Sequence, residues 1–201
     1  MTRRSRLAIG ALIVAQIAHA SVASAQATAT HQWSHGTILT ALAGAAAAPS
    51  ADTRATLGGG FGWEINPWVD VEGSGAWLVP RHDDQGFSAD LTALVNLTRP
   101  TKIVPFVGGG VGLYIASFDS TAGPLPDFYQ KRLPPDSPVT HRTFTDPSFA
   151  FAGGVDILAT PRWSIRPDVS VRLVTDGSSA YAITVAAVRV VHHFEFHDTV
   201  R

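Results

Sequence analysis

The feature that most restricts the fold of this chain of 201 residues is a repeated alternation of apolar and polar residues. Eight segments of about 9 to 14 residues carry an apolar residue at every second position, and turn residues separate them. They span residues 36–48, 54–65, 68–79, 87–98, 102–116, 148–159, 162–174 and 180–194. Residues 41–48, which are mostly alanine, are also compatible with a helix. The pattern predicts eight β-strands.

The connections between these segments differ in length along the chain. Three are tight turns that contain proline: Asn66-Pro67, Arg99-Pro100-Thr101 and Thr160-Pro161. The other set, residues 49–53, 80–86, 117–147 and 175–179, is more polar and mostly longer. Short turns at one end and longer loops at the other are typical of outer-membrane barrels, in which the short turns face the periplasm. We therefore expect an all-β fold, an eight-stranded antiparallel up-and-down transmembrane barrel.

The connection formed by residues 117–147 is too long for an ordinary loop and is rich in proline and charge. It is interpreted as either a surface recognition loop or a disordered excursion. It is also where a specific function, such as binding of an extracellular ligand, is expected.

The composition agrees with this fold. Eighteen glycines and thirteen prolines, with only 15% charged residues, indicate many turns rather than long soluble helices. The absence of cysteine excludes a disulfide framework, a thiol nucleophile and thiolate metal sites.

The N-terminal residues have the pattern of a secretory signal peptide. Arg3, Arg4 and Arg6 precede an apolar run over residues 7–18, and Ala23-Ser24-Ala25 supplies the small residues of a cleavage site. We predict a signal peptide over residues 1–25 and a barrel domain over residues 26–201. A second cleavage site after Ala27 and an uncleaved anchor are the alternatives. Without the leader the formal charge is about −4, so nucleic acid is not an expected partner.

Because side chains alternate across a strand, each segment separates into two faces. In residues 162–174 one face carries Trp163, Ile165 and Val169, and the opposite face carries Arg166, Asp168 and Arg172. The polar faces of all segments together carry charges of both signs, at Arg54, Glu64, Asp70, Glu72, Asp90, Asp156, Arg166, Asp168, Arg172 and Arg189. An eight-stranded barrel has an interior that side chains fill, so these residues are predicted to form a structural ion-pair network that plugs it.

The aromatic residues fit the same geometry. Trp63, Trp163 and Phe194 fall on the apolar faces near the short turns. Trp77, Phe87 and Phe149 fall on the apolar faces near the longer loops. They are predicted to form the two aromatic girdles of a membrane barrel. A soluble lipocalin-like binder, which buries its apolar face inside, is the alternative.

Two stretches resemble a known family. Residues 105–114, with the sequence PFVGGGVGLY, precede the long connection, and residues 149–156, with the sequence FAFAGGVD, follow it. They resemble the fifth and sixth strands of the OmpA/OmpX-like eight-stranded outer-membrane barrels. The resemblance implies a monomeric barrel in the outer membrane of a Gram-negative-type bacterium, with outer-membrane lipid and the assembly machinery as its partners. Such barrels usually end on an aromatic residue, whereas here seven residues follow Phe194.

No pattern predicts an enzyme, a cofactor or a metal site. His192 and His193 are neighbours on one strand and point to opposite faces, so with His197 they form a poor metal site. The enzymatic alternative is a barrel enzyme similar to lipid A deacylases, for which His141 and Ser148 are the nearest candidate pair. The sequence contains no Gly-x-Ser-x-Gly elbow.

Overall fold

The computed structural model describes residues 36–49, 51–81, 84–119, 126–133 and 141–194. The predicted signal peptide, residues 1–25, and His197 lie outside the described residues. The strands are β1 (Gly36–Ala47), β2 (Arg54–Asn66), β3 (Val69–Arg81), β4 (Asp84–Asn96), β5 (Ile103–Asp119), β6 (His141–Thr160), β7 (Trp163–Thr175) and β8 (Ala180–His193). A short helix, α1 (Asp127–Gln130), lies between β5 and β6.

The eight strands form one closed barrel. Each strand pairs antiparallel with the next, and β8 pairs back with β1 from Ile38↔His193 to Ala47↔Thr184. Closure satisfies the backbone groups that would otherwise be exposed at a sheet edge. The structure thus confirms the predicted all-β, antiparallel, up-and-down barrel.

The alanine-rich segment is a strand and not a helix. Residues 36–46 pair with β2, and residues 38–47 pair with β8. Ala46 is buried inside the barrel, whereas Ala45 and Ala47 face outward and are exposed. The helical alternative for residues 41–48 is therefore wrong, because pairing on both sides overrides the high helix propensity of alanine.

Two of the three short turns have the predicted form. The β2–β3 turn is held by Asn66, whose Oδ1 accepts a hydrogen bond from the Trp68 N–H at 2.8 Å. In the β6–β7 turn, Thr160 Oγ1 accepts from the Trp163 N–H at 3.1 Å. The β4–β5 turn is longer than predicted and spans residues 97–102, because β4 ends at Asn96 and β5 begins at Ile103.

The predicted loop over residues 117–147 is wrong at both ends. β5 continues to Asp119 and β6 begins at His141, and the two strands stay paired up to Asp119↔His141. The connection is therefore residues 120–140. Pro147 falls within the predicted loop. It lies in β6, one residue before Ser148, which forms the last residue pair between β6 and β7 with Val174. Beyond this pair β6 has an edge, and an edge is a position where a sheet tolerates proline.

The two faces of the barrel wall differ as predicted. On β7, Ser164, Arg166 and Asp168 are buried inside, whereas Trp163 and Ile165 are exposed outside. The glycines on β5 alternate in the same way, since Gly110 faces neighbouring interior side chains and Gly109 does not. No helix in the described part of the chain has the length and hydropathy of a membrane span.

Candidate functional site: the barrel interior and its mouth

Arg166 is at the centre of the interior. Its side chain is 3% exposed, and it reaches from β7 to strands on both sides of the lumen. Nη1 donates a hydrogen bond to Glu72 on β3, and Nη2 donates to Oδ2 of Asp156 on β6 at 2.9 Å. The guanidinium also lies over the Phe106 ring, 5.3 Å from its centroid. Arg166 therefore links β7 to β3 and β6 and also contacts the aromatic ring of Phe106.

Two further arginines pair with acids around this centre. Arg189 Nε donates to Oδ2 of Asp168 at 2.6 Å, and Arg189 Nη1 lies 4.0 Å from Glu72. Arg172 donates to both carboxylate oxygens of Asp90 on β4. Buried charges are tolerated when they are paired and hydrogen-bonded in this way.

The short-turn end of the interior holds more acids than bases. His193 Nδ1 lies 3.0 Å from Oε1 of Glu64, and its Nε2 lies 3.4 Å from Ser164 Oγ. Asp70 is directly opposite Glu64 in the β2–β3 register and is 3% exposed. The Oδ1 atom of Asp70 has no hydrogen-bond partner among the described residues. Sequence analysis missed His193 as a member of this cluster, although its place on the inward face of β8 would have indicated it.

The structure places nine of the ten predicted interior charges inside the barrel, between the short-turn end and the cavity lined by Arg54. They are Glu64, Asp70, Glu72, Asp90, Asp156, Arg166, Asp168, Arg172 and Arg189. Arg54 differs, because it begins β2 at the long-loop end. There it lines a separate cavity with Asp52, Tyr114 and Tyr129.

An aromatic cluster fills the mouth of the barrel at the long-loop end. Its centre is Tyr129 of α1, which is fully buried. The Tyr129 ring lies 4.8 Å from Phe118, 5.0 Å from Phe144 and 5.9 Å from Tyr181, measured between ring centroids. Burial raises the pKa of the Tyr129 hydroxyl well above its usual value, so this side chain is neutral. We call these four rings, together with Phe128 stacked on Tyr181, the aromatic plug.

Arg132 holds the aromatic plug to the wall. Its Nη1 donates to Oδ2 of Asp146 at 2.8 Å, and its guanidinium lies 4.8 Å from the centroid of the Phe144 ring. The hydrogen bond to Asp146 raises the pKa of Arg132 further above its usual value. Tyr129 therefore packs inward while Asp127, Lys131 and Arg132 stay exposed, and the part of the connection that the structure describes is not a disordered excursion.

The sequence carries a pattern that would have predicted the aromatic plug. Phe128-Tyr129 is an apolar pair inside a polar, proline-rich connection. Tyr114, Phe118, Phe144 and Tyr181 are aromatic residues on inward positions near the long-loop ends of their strands. An aromatic pair in a loop above a ring of inward aromatics predicts contact between them.

Three small cavities lie among the described residues of the interior. A cavity of about 40 Å³ lies among Glu72, Asp90, Phe106 and Arg166, and another of about 30 Å³ lies beside Leu42 and Arg189. A third, of about 30 Å³, lies under α1. Each has room for only a few water molecules.

The structure separates the side chains that the sequence offered as alternative chemical sites. Ser148 is buried inside the barrel, whereas His141 is exposed and its Nε2 lies 2.9 Å from Oγ of Ser117. His141 and Ser148 are therefore not a pair, because they lie on opposite faces of β6. His192 and His193 also separate, and the outward ring of His192 lies 4.5 Å from that of Trp163. Within the described ranges, no group of three or more His, Cys, Asp or Glu side chains is placed to hold a metal ion.

Comparison with known proteins agrees with the fold. No protein-family model and no curated protein sequence matches this chain. Among solved structures, Neisserial surface protein A (NspA) superposes with a TM-score of 0.58 and 13% identity, over 80% of this chain and 97% of that chain. Ail, the attachment invasion locus protein of Yersinia pestis, superposes with a TM-score of 0.50 and 12% identity, over 80% of this chain and 97% of that chain. The chain therefore has the eight-stranded fold of small outer-membrane barrels such as NspA and Ail, as its resemblance to the OmpA/OmpX-like group implies.

Proposed function

We propose that this chain is a small outer-membrane protein of a Gram-negative-type bacterium, with a structural or surface-interaction role and no enzymatic activity. The observation that carries the proposal is the distribution of apolar side chains. Leu91, Phe151 and Trp63 are 57%, 57% and 58% exposed, and they belong to an apolar outer surface that includes all eight strands. Exposure of such an apolar surface to water is unfavourable, whereas lipid acyl chains bury it.

The positions of the exposed aromatic residues along the barrel support the proposed location in a membrane. Trp63, Trp163 and Phe194 are outward and exposed at the short-turn end. Trp77, Phe87 and Phe149 are outward and exposed nearer the long-loop end. Aromatic side chains in two bands are typical of the two interfaces of a bilayer.

The contents of the lumen support a closed barrel. Arg166 and Arg189 reach Glu72 and Arg172 reaches Asp90 across the lumen, and the aromatic plug fills the space above these ion pairs. The cavities beside these ion pairs, of about 30 and 40 Å³, are of water size. On this basis we infer a plugged barrel and not a general pore.

The β5–β6 hairpin is the proposed place for interaction with an extracellular ligand. With 17 and 20 residues, β5 and β6 are longer than the strands of 12 to 14 residues around them. Residues 141–147 extend past the end of β7 and are mostly exposed. A rigid hairpin above the membrane surface presents side chains at lower entropic cost than a flexible loop.

Cell fractionation tests the proposal. The expressed full chain is expected in the outer-membrane fraction. Detergent should extract it, whereas salt should not. On a cold gel it should run as a compact band that shifts after heating. A soluble periplasmic protein and a known outer-membrane barrel serve as markers. Recovery of the folded chain in the soluble periplasm would refute the membrane location.

A further inference from the structure

The short-turn end of the barrel has an unusual distribution of charge. Arg99 and Lys102 in the β4–β5 turn and Arg162 in the β6–β7 turn are all exposed. The acidic residues of this end within the described part of the chain, Glu64, Asp70 and Asp156, all point into the barrel. Among the described residues of this end, the charges on the outer surface are therefore positive.

The three cations are neighbours along one arc of the barrel. The Lys102 carbonyl accepts a hydrogen bond from the Leu158 N–H at 2.9 Å, which places the β4–β5 turn against the end of β6. β6 ends two residues later at Thr160, and Arg162 follows in the next turn. We call Arg99, Lys102 and Arg162 the cationic rim.

Apolar side chains lie directly beside the cationic rim. Leu97, Ile103 and Trp163 are outward and are 55%, 37% and 47% exposed. Each is within two residues of a cation in the sequence. A cation next to a lipid-facing apolar residue is at the depth of the lipid headgroups, where long basic side chains extend toward phosphate.

The described residues at the opposite end of the barrel lack this bias. Exposed Asp52, Asp127 and Asp176 accompany exposed Lys131 and Arg132 among the described residues there. Charges of both signs give little net attraction for an anionic surface. Within the described ranges, the cationic character therefore belongs to the short-turn end and is not a general property of the loops.

We propose that the cationic rim is a binding site for anionic glycerophospholipids, with the phosphodiester between the arginine and lysine side chains and the acyl chains against Leu97, Ile103 and Trp163. Arginine matches phosphate oxygens with two parallel hydrogen bonds, and each basic residue near an anionic membrane surface contributes about fivefold to the affinity. The inference rests on the proposed function, because it requires that the short turns lie at a lipid surface.

The test uses the full chain refolded into phosphatidylcholine vesicles that contain trace spin-labelled phosphatidylglycerol or phosphatidylcholine. Electron paramagnetic resonance measures the fraction of each lipid that the barrel immobilises. We expect a several-fold preference for phosphatidylglycerol that weakens as salt is added. The triple variant R99Q/K102Q/R162Q is expected to lose most of the preference, and the control K131Q, at the mouth, to keep it.

Equal immobilisation of both lipids by the folded parent, or an unchanged preference in the folded triple variant, would overturn the site while leaving the membrane barrel intact. Immobilisation of neither lipid, without a heat-shifted band, would instead refute the proposed function and the site with it. The salt titration of the parent tests the site even where the triple variant does not fold, since a preference that salt does not weaken contradicts an electrostatic site.

Discussion

The guanidinium of Arg132 lies 2.8 Å from the carboxylate of Asp146 and joins the long connection to the inner wall of β6. The Asp146 side chain is 4% exposed, so the connection closes over a buried charge. This contact helps to hold Phe128 and Tyr129 in the barrel's interior packing. It also indicates which substitution would release them.

Arg132→Gln should loosen the aromatic plug. The substitution leaves the buried Asp146 carboxylate without its charged partner, and a hydrogen bond to a charged group contributes about 1.5 to 3 kcal/mol. Limited proteolysis of the folded barrel should then cleave the connection about 10 to 100 times faster. Lys131→Gln, one residue away and exposed, is the control. Equal cleavage of both variants would show that Arg132 does not hold the plug.

Arg172→Leu should destabilise the barrel far more than Val171→Leu. Arg172 is the hydrogen-bond partner of Asp90, and its loss leaves that carboxylate buried and unpaired, at a cost of about 3 to 5 kcal/mol. Val171 is on the outward face, where an added methylene meets lipid. The temperature at which the compact band is lost on a cold gel measures both. If the two variants melt together with the parent, Arg172 is not in a closed interior.

Two adjacent glycines of β5 test the packing of the wall. A Cβ atom at Gly110 would clash with the Leu91 carbonyl oxygen and lie 2.7 Å from Thr92 Oγ1, whereas at Gly109 the nearest atom is 3.8 Å away. Gly110→Ala should therefore destabilise the barrel by about 1 to 3 kcal/mol, and Gly109→Ala should be close to neutral. Urea unfolding in lipid vesicles compares them. A larger loss for Gly109→Ala would reverse the assignment of faces on β5.

Purified monomer in planar bilayers should show no stable large conductance. The ion pairs of Arg166, Arg172 and Arg189 lie below the aromatic plug, so opening the plug with Arg132→Gln should not create a pore either. Long-lived open channels in the parent would contradict a plugged interior. Channels only in the variant would show that the plug alone closes the barrel.

The sequence was sufficient to predict the features that depend on local alternation. Strand number, strand faces and the position of nine interior charges follow from a period of two, because a one-residue shift would place every charge in contact with the outside. Arg54 has the same period but lies at the mouth, since alternation assigns a face and not a height along the barrel.

The ends of β5 and β6 and the aromatic plug could not be obtained in this way. Ser117, His141 and Thr143 form a polar hydrogen-bonded group on the outer face of the hairpin, and such polar residues resemble a loop in the sequence. The packing of Tyr129 against Phe118 and Phe144 joins parts of the chain whose proximity becomes visible only when the barrel closes.

The most direct test of the membrane barrel is a nitroxide scan along β7. The chain contains no cysteine, so single cysteines at each of residues 163–173 can be labelled without background. In lipid vesicles, collision with oxygen, which concentrates in the bilayer, should alternate with a period of two. High values are predicted at Ile165, Val169 and Val171, and low values at Arg166, Asp168 and Ser170. A flat profile, or one with the maxima at the charged positions, would contradict the assignment of an apolar outer face to lipid.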